Sequence, residues 1–341
     1  MDDPCALRYI HCLIVQFANN MDPLDEALAA MRVERALYAR LDANAPWGLN
    51  TRRIDGTTRF GLMVRGRAVL TMTDQDAAVP VELVAGDCFF IPHGAAYRLQ
   101  DAPGSPMENC VDVVRNSVDG WVKLGGGAGE NAGNPAASIV SGWFHFDERG
   151  AKPLLDALPP LLHIRMDDAR TQVLQASLQL LAMETAQRDL GSGLVISRLA
   201  DIIFAQAVRA YMHTLDPETE AGWLAALSDR RIGQALRALH RDVAAGWTVD
   251  ALATAAGMSR SAFAQRFKEK VGRTPLDYLA HWRMFRAGGM LQHSDRALAA
   301  IAENVGYESE AAFNKAFKRW SGIAPGAYRR QAKGAPGEPA A

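Results

Sequence analysis

The period of the apolar positions changes part-way along the chain. From Pro46 to about Val114, short alternating runs such as Ala68-Val69-Leu70-Thr71-Met72 and Val81-Glu82-Leu83-Val84 are separated by Gly, Pro and Asp. Period-two alternation between turn residues predicts strands at the spacing of a barrel. A stretch rich in Gly, Asn and Ala, residues 125–137, reads as a solvated insertion ahead of another strand, Trp143-Phe144-His145-Phe146. Beyond Pro153 the period becomes helical. Leu174, Leu178 and Leu181, then Leu199, Ile202, Ile203 and Phe204, fall on one side, so these helices need a partner surface. Asp216-Pro217-Glu218-Thr219 breaks the pattern and marks a boundary.

After that boundary the chain repeats itself. Ser259, Phe263, Phe267, Lys268, Gly272, Pro275 and Tyr278 recur fifty residues on as Ser309, Phe313, Phe317, Lys318, Gly322, Pro325 and Tyr328. Upstream the offset is forty-nine, matching Leu252, Ala253 and Gly257 to Ile301, Ala302 and Gly306, with one extra residue in the second turn. Each copy predicts a short Ala-rich helix ending at a Gly suited to a left-handed exit, then a helix capped by Ser259 or Ser309. Two Phe residues four apart turn inward in that second helix. At 100° per residue the opposite face carries Ser261, Ala264, Gln265 and Lys268 in one copy, and Ala311, Asn314, Lys315 and Lys318 in the other. This is the pattern of a helix-turn-helix, whose second helix offers donors to base edges and small side chains to thymine methyls.

Charge sharpens the division. Residues 228–333 hold 18 basic and 9 acidic side chains and the remainder 19 and 29, so a net of −1 conceals a basic C-terminal part and an acidic remainder. Only the former suits a polyanion such as DNA. The length of 341 residues implies two domains, and 49% hydrophobic with 22% charged residues describes an ordinary globular chain. Cys5, Cys12, Cys88 and Cys110 are scattered without metal or redox spacing, which suits a reducing, cytoplasmic setting. The most apolar stretch, Leu194 to Leu215, is interrupted by Arg198, Asp201 and Arg209, so no membrane span is expected. The opening residues lack the pattern of a secretory leader, and residues 1–20 read as an over-called start or a disordered segment.

Gly257-Met-Ser-Arg-Ser-Ala-Phe263, Gly306-Tyr-Glu-Ser-Glu-Ala-Ala-Phe313 and Gly322-Ile-Ala-Pro-Gly-Ala-Tyr-Arg-Arg330 together resemble the AraC/XylS family of transcription regulators. The resemblance implies seven helices from about Ser228 to Arg330, a long central one from about Pro275 to Leu291, and two recognition helices entering successive major grooves of double-stranded DNA. It places Arg260, Ser261, Ala264 and Gln265 on DNA in the first copy and Glu310, Ala311, Asn314 and Lys315 in the second, with Lys315 the foremost base contact. Arg266, Lys268, Lys318 and Arg319 are assigned to phosphates or to a solvated basic face. Gly288-Gly289 inside the central helix would weaken the coupling of the two readers. Activation of transcription, with RNA polymerase and a second copy of the chain as partners, is further implied by the resemblance.

Residues 86–101, with Gly86, Pro92 and Gly94, resemble the second motif of the cupin superfamily. Tyr97 stands where the metal-binding form has His, and Arg59-Phe60-Gly61-Leu62-Met63 lacks the His-x-His pair, so no metal or other cofactor is expected. The barrel then reads as a sensor of a small effector of unspecified identity. Trp47, Phe60, Phe90, Tyr97 and Trp143 are its candidate pocket aromatics, beside His93 on a loop. The whole is an α+β multidomain chain: a cupin-like barrel over 21–158, linker and dimer-forming helices over 159–216, a DNA-binding domain over 228–331 with helix-turn-helix units at about 248–271 and 297–321, and a disordered tail over 332–341. Three rival readings stand beside this one: a thiol redox sensor using Cys88 and Cys110, a cupin enzyme fused to a DNA-binding domain, and a purely architectural DNA binder, which would leave the cupin-like half without a purpose.

Overall fold

The computed structural model describes residues 22–31, 33–74, 78–117, 121–126, 135–165, 172–187 and 189–334. The expectations for residues 1–20, for most of the 125–137 insertion and for residues 335–341 lie outside the described residues. The elements in chain order are α1 (Pro23–Ala30), β1 (Val33–Asn44), β2 (Gly48–Thr51), β3 (Thr57–Arg65), β4 (Arg67–Met72), β5 (Val81–Val84), β6 (Cys88–Ile91), β7 (Tyr97–Gln100), β8 (Glu108–Asn109), α2 (Cys110–Arg115), β9 (Trp121–Gly125), β10 (Ala137–Phe146), α3 (Glu148–Leu155), β11 (Leu162–Ile164), α4 (Gln172–Gln187) and α5 (Ser192–Thr214). Then come α6 (Trp223–Ser228), α7 (Ile232–Arg241), α8 (Val249–Ala255), α9 (Arg260–Val271), α10 (Pro275–His293), α11 (Leu298–Asn304), α12 (Glu310–Ser321) and α13 (Pro325–Gly334). They divide into two compact units, Met31–Thr214 and the remainder.

In the first unit a six-stranded sheet, ordered β11-β6-β3-β10-β1-β9, faces a five-stranded one, β5-β4-β7-β2-β8. The period-two reading is realised in detail. Met63, Phe89, Ile91 and Ile139 point into the core between the sheets, where Leu41, Tyr97 and Leu99 join them. Their neighbours Phe60, Phe90, Phe144 and Phe146 point the other way, and Phe90 and Phe146 meet Phe204 of α5. Covered on both faces, β3 is buried from Thr57 to Met63.

Two expectations change here. Leu162–Ile164 lies within the stretch read as helical, yet it forms an edge strand because its backbone pairs with β6, Leu162 opposite Phe90 and Ile164 opposite Cys88. Of the apolar stripe on α4 and α5, Leu174, Leu178, Leu181, Leu199, Ile203 and Phe204 are buried, whereas Ile202 is exposed. Helices α4 and α5 therefore belong to the barrel's own compact unit.

The second unit holds α6 to α13 and, from the other end of the chain, α1. The barrel unit thus begins at Met31, ten residues after the boundary expected from sequence. The reason is a buried carboxylate. Glu26 of α1 is 8% exposed, receives Nη2 and Nε of Arg286, and lies 2.7 Å from Nδ1 of His240, itself 1% exposed. Trp223 Nε1 donates to the Tyr278 hydroxyl at 2.8 Å, and that hydroxyl lies 2.7 Å from Nε2 of His240. A neutral imidazole protonated at Nδ1 satisfies every member: Trp223 donates to Tyr278, Tyr278 to His240, and His240 to Glu26. Burial holds His240 below its usual range against the pull of Glu26. Burial would raise Glu26, but its hydrogen bonds from His240 and Arg286 outweigh that and keep it low.

Candidate nucleic-acid interface and sensor cavity

The repeat in sequence becomes a repeat in burial. Residues 260–269 and 310–319 follow the same order of exposed, half-buried and buried positions, with Phe263, Phe267, Phe313 and Phe317 the fully buried ones. Ser259 and Ser309 cap α9 and α12 by accepting from the amides of Ala262 and Ala312. Gly257 and Gly306 end the preceding helices at φ of 63° and 79°, a conformation open to Gly at little cost. Phe267 meets Tyr278 edge-on at 5.7 Å, as Phe317 meets Tyr328 at 5.1 Å.

The long helix α10 runs unbroken from Pro275 to His293 between the two copies. Gly288, expected to loosen it, lies where a Cβ would come within 3.2 Å of the Tyr328 hydroxyl and 3.4 Å of the Trp320 ring, so Gly permits close packing there. Arg283 of the same helix donates from Nε to the Val243 carbonyl at 2.7 Å, from Nη1 to that of Gly306 at 3.1 Å and from Nη2 to that of Ala245 at 2.9 Å. One guanidinium therefore ties the loop after α7 to the turn of the second motif.

Arg260, Ser261, Gln265, Lys268, Glu310, Ala311, Lys315 and Lys318 are exposed, and Ala264 and Asn314 half-buried. The two faces differ in what holds their charge. On α9, Arg260 pairs with Asp250 at 3.1 Å and Gln265 donates to Glu269 at 2.9 Å. Arg266, assigned from sequence to phosphate or to solvent, points instead to the buried Asp229 at 2.6 Å and to Glu218 at 2.9 Å. Asp229 also accepts from the amides of Arg231 and Ile232, so Arg266 serves the start of α7. On α12, Lys315, Lys318 and Arg319 have no acidic partner among the described residues.

In the barrel unit a cavity of about 320 Å³ opens between the sheets beneath α2. Leu37, Ala39, Ser141, Gly142 and Trp143 form one wall, Thr51 and Tyr97 another, and Cys110, Val111 and Val114 the cover; Arg52, Arg59 and Arg115 also line it. Of the aromatics expected in a pocket, Tyr97 and Trp143 are brought together here. The other four expected residues are elsewhere. Trp47 is packed in the inter-sheet core, Phe60 and Phe90 stack on the opposite face of the sheet, and His93 sits half-buried in the turn after β6, outside the cavity wall. Arg59, Cys110 and Arg115 were missed in sequence. Period-two alternation from Met63 through Gly61 would have turned Arg59 inward.

The paired-thiol reading fails on geometry. Cys88 alternates with Phe89 and Ile91, so it faces away from the inter-sheet core, while Cys110 packs against that core. The sheet stands between them. Burial, aided by Asp87, also pushes the Cys88 thiol far up, the opposite of a reactive cysteine. Cys5 and Cys12 lie outside the described residues. Among the described residues no helix is long and apolar enough to cross a membrane.

Comparison with known proteins fits this architecture. A cupin family model matches residues 22–213 and a helix-turn-helix domain model residues 252–331. The chain is 35% identical over 313 residues to a putative AraC-like transcription regulator of Streptomyces lividans, covering 91% of this chain and 98% of that protein. It is 30% identical over 317 residues to the transcriptional regulator AlkR of Acinetobacter baylyi, covering 91% and 100%. Among solved structures, the DNA-binding domain of AdpA in complex with a target DNA is similar at 28% identity and a TM-score of 0.30, covering 31% of this chain and 96% of that one. With a repeated helix-turn-helix behind a cupin barrel, and with relatives that match it nearly end to end, this chain belongs to the AraC family of DNA-binding transcription regulators.

Proposed function

We propose that the protein reads a two-part operator by placing α9 and α12 in successive major grooves, and that the barrel couples this to a small effector. The observation that carries the reading is the shared burial order of residues 260–269 and 310–319, which leaves two equivalent polar faces outward on one compact unit. Arg260, Ser261, Ala264 and Gln265 face the first groove. Glu310, Ala311, Asn314 and Lys315 face the second, with Lys268 and Lys318 on phosphates. A second copy associates through the exposed apolar positions of α4 and α5, where Val173, Leu180 and Met183 lie on one helix and Leu194, Val195 and Ile202 on the other. The protein acts in the cytoplasm as an activator that contacts RNA polymerase, and it is not an enzyme; its relatives, named as transcription regulators, support that reading.

The test is footprinting on the DNA beside its own gene over a range of salt concentrations, with Lys315→Ala alongside. A protected stretch covering two successive major grooves, shortened at one end in the variant, supports the reading. Weak uniform binding that vanishes with salt and ignores the variant refutes it.

A further inference from the structure

The cavity beneath α2 is lined by three arginines and no acidic side chain. Arg52 and Arg115 are exposed at its edge, but Arg59 is 7% exposed and has no carboxylate partner among the described residues. Its guanidinium donates from Nη2 to the Arg52 carbonyl at 2.5 Å and lies 5.6 Å from the centre of the Tyr97 ring. One carbonyl, the Tyr97 ring face and the Tyr97 hydroxyl occupy only part of a five-donor group. A buried cation without a counter-charge is costly, so such a site fits one that an incoming anion completes. The rest of the wall is mostly apolar, with Leu37, Ala39, Val114 and the Trp143 ring; its other polar groups are the Ser141 and Tyr97 hydroxyls, the Cys110 thiol and the Thr51 hydroxyl, which already donates to the Tyr97 carbonyl.

We propose that this cavity binds a small apolar monocarboxylate, its carboxylate seated on Arg59 and its hydrocarbon body between Tyr97 and Trp143. A planar guanidinium matches a carboxylate with two parallel hydrogen bonds. The volume of about 320 Å³ sets the size. At ~30 Å³ per water-sized group it admits on the order of ten such groups, which excludes long chains and bulky polycycles. The inference rests on the reading of the barrel as an effector module and adds the chemical class of the effector.

The experiment is calorimetric titration of the full chain with 3-phenylpropanoate, octanoate and cyclohexanecarboxylate, each beside its uncharged primary amide, up to ~10 mM. At least one acid binds and its amide binds on the order of 10- to 100-fold more weakly. Arg59→Met, which keeps the length and removes the charge, abolishes that preference, and Ser141→Leu, which fills the cavity wall, abolishes binding altogether. The acid and amide comparison on the unaltered protein requires no variant to fold. Equal binding of acid and amide, or acid binding unaffected by Arg59→Met, overturns the carboxylate assignment; sensitivity to Ser141→Leu would then still leave the barrel as a ligand site. Failure of all three acids overturns the proposal outright, while footprinting reports separately on the reading of DNA.

Discussion

The two helix-turn-helix units share one buried scaffold and differ on their outward faces. Phe263 and Phe267 are as buried as Phe313 and Phe317, and both second helices carry a Ser cap and end at a left-handed Gly, Gly272 or Gly322. Yet two cations of the first helix are held by its own domain, Arg260 by Asp250 and Arg266 by Asp229 and Glu218, leaving Lys268, whereas Lys315, Lys318 and Arg319 of the second all meet no carboxylate among the described residues. Duplication has kept the interior because packing tolerates few alternatives there. The surface was free to diverge. On the two-groove proposal, the second helix is then expected to be the stronger DNA contact, and the first to discriminate chiefly through Ser261, Ala264 and Gln265.

The largest effect tests the shared interior. Phe267→Ala and Phe317→Ala each lower unfolding free energy by about 3–5 kcal/mol, the range for truncating a buried Phe, and by similar amounts. Urea denaturation followed by circular dichroism measures both. A loss under about 1 kcal/mol in either would end the claim that the two cores are equivalent.

A smaller effect separates the outward faces. Lys315→Ala weakens operator binding by about 1–3 kcal/mol and relaxes preference at one half-site, while Gln265→Ala, already engaged with Glu269, costs less. Titration of both variants against operators altered in one half-site at a time decides between them. Equal losses would show that the ties on α9 dissolve on DNA. The slope of log affinity against log salt adds a finer measure: Lys318→Ala reduces it by about 1, and Arg266→Ala leaves it unchanged while lowering the melting temperature.

How much of this was legible in the sequence follows from the length scale of each signal. The repeat could be read because caps, Gly exits and Phe pairs are local and occur twice, and the resemblance rested on the same residues. The barrel strands could be read from alternation. The cavity was only half legible. Aromatic character points to Tyr97 and Trp143, but equally to Phe60 and Phe90, which alternation turns to the other face of the sheet. Arg59 stands in a segment distinguished in sequence only by its lack of metal ligands, although its parity with Met63 puts it inside. Docking of α1 on α7 and α10 was not legible. Glu26 lies 214 residues from His240 and 260 from Arg286, and no local pattern marks such a pairing.

That distant pairing supplies the last contrast between the halves of the helical unit. The first half is sealed by the chain Trp223, Tyr278, His240 and Glu26, and the second by the apolar cluster around Phe313, Phe317 and Leu291. His240 is held below its usual 6.5, so the unfolded or undocked chain binds the extra proton more readily than the packed one. Stability from this seam is present above about pH 6.5 and declines as pH falls below it; Glu26, also held low, adds a further loss below its usual 4.5. Among the described residues the buried cluster of the second half holds no histidine; His281 beside it is half-buried and accepts from Trp320. Hydrogen exchange at pH 7 and pH 5.5, corrected for intrinsic rates, should therefore show protection falling in α1 and α7 while α11 and α12 hold. The effect is the smallest of the set, a local loosening rather than unfolding. Glu26→Gln should loosen α1 already at neutral pH by removing the charge that Arg286 faces, and loss of protection spread evenly over both halves would mean that the buried relay does not control the seam.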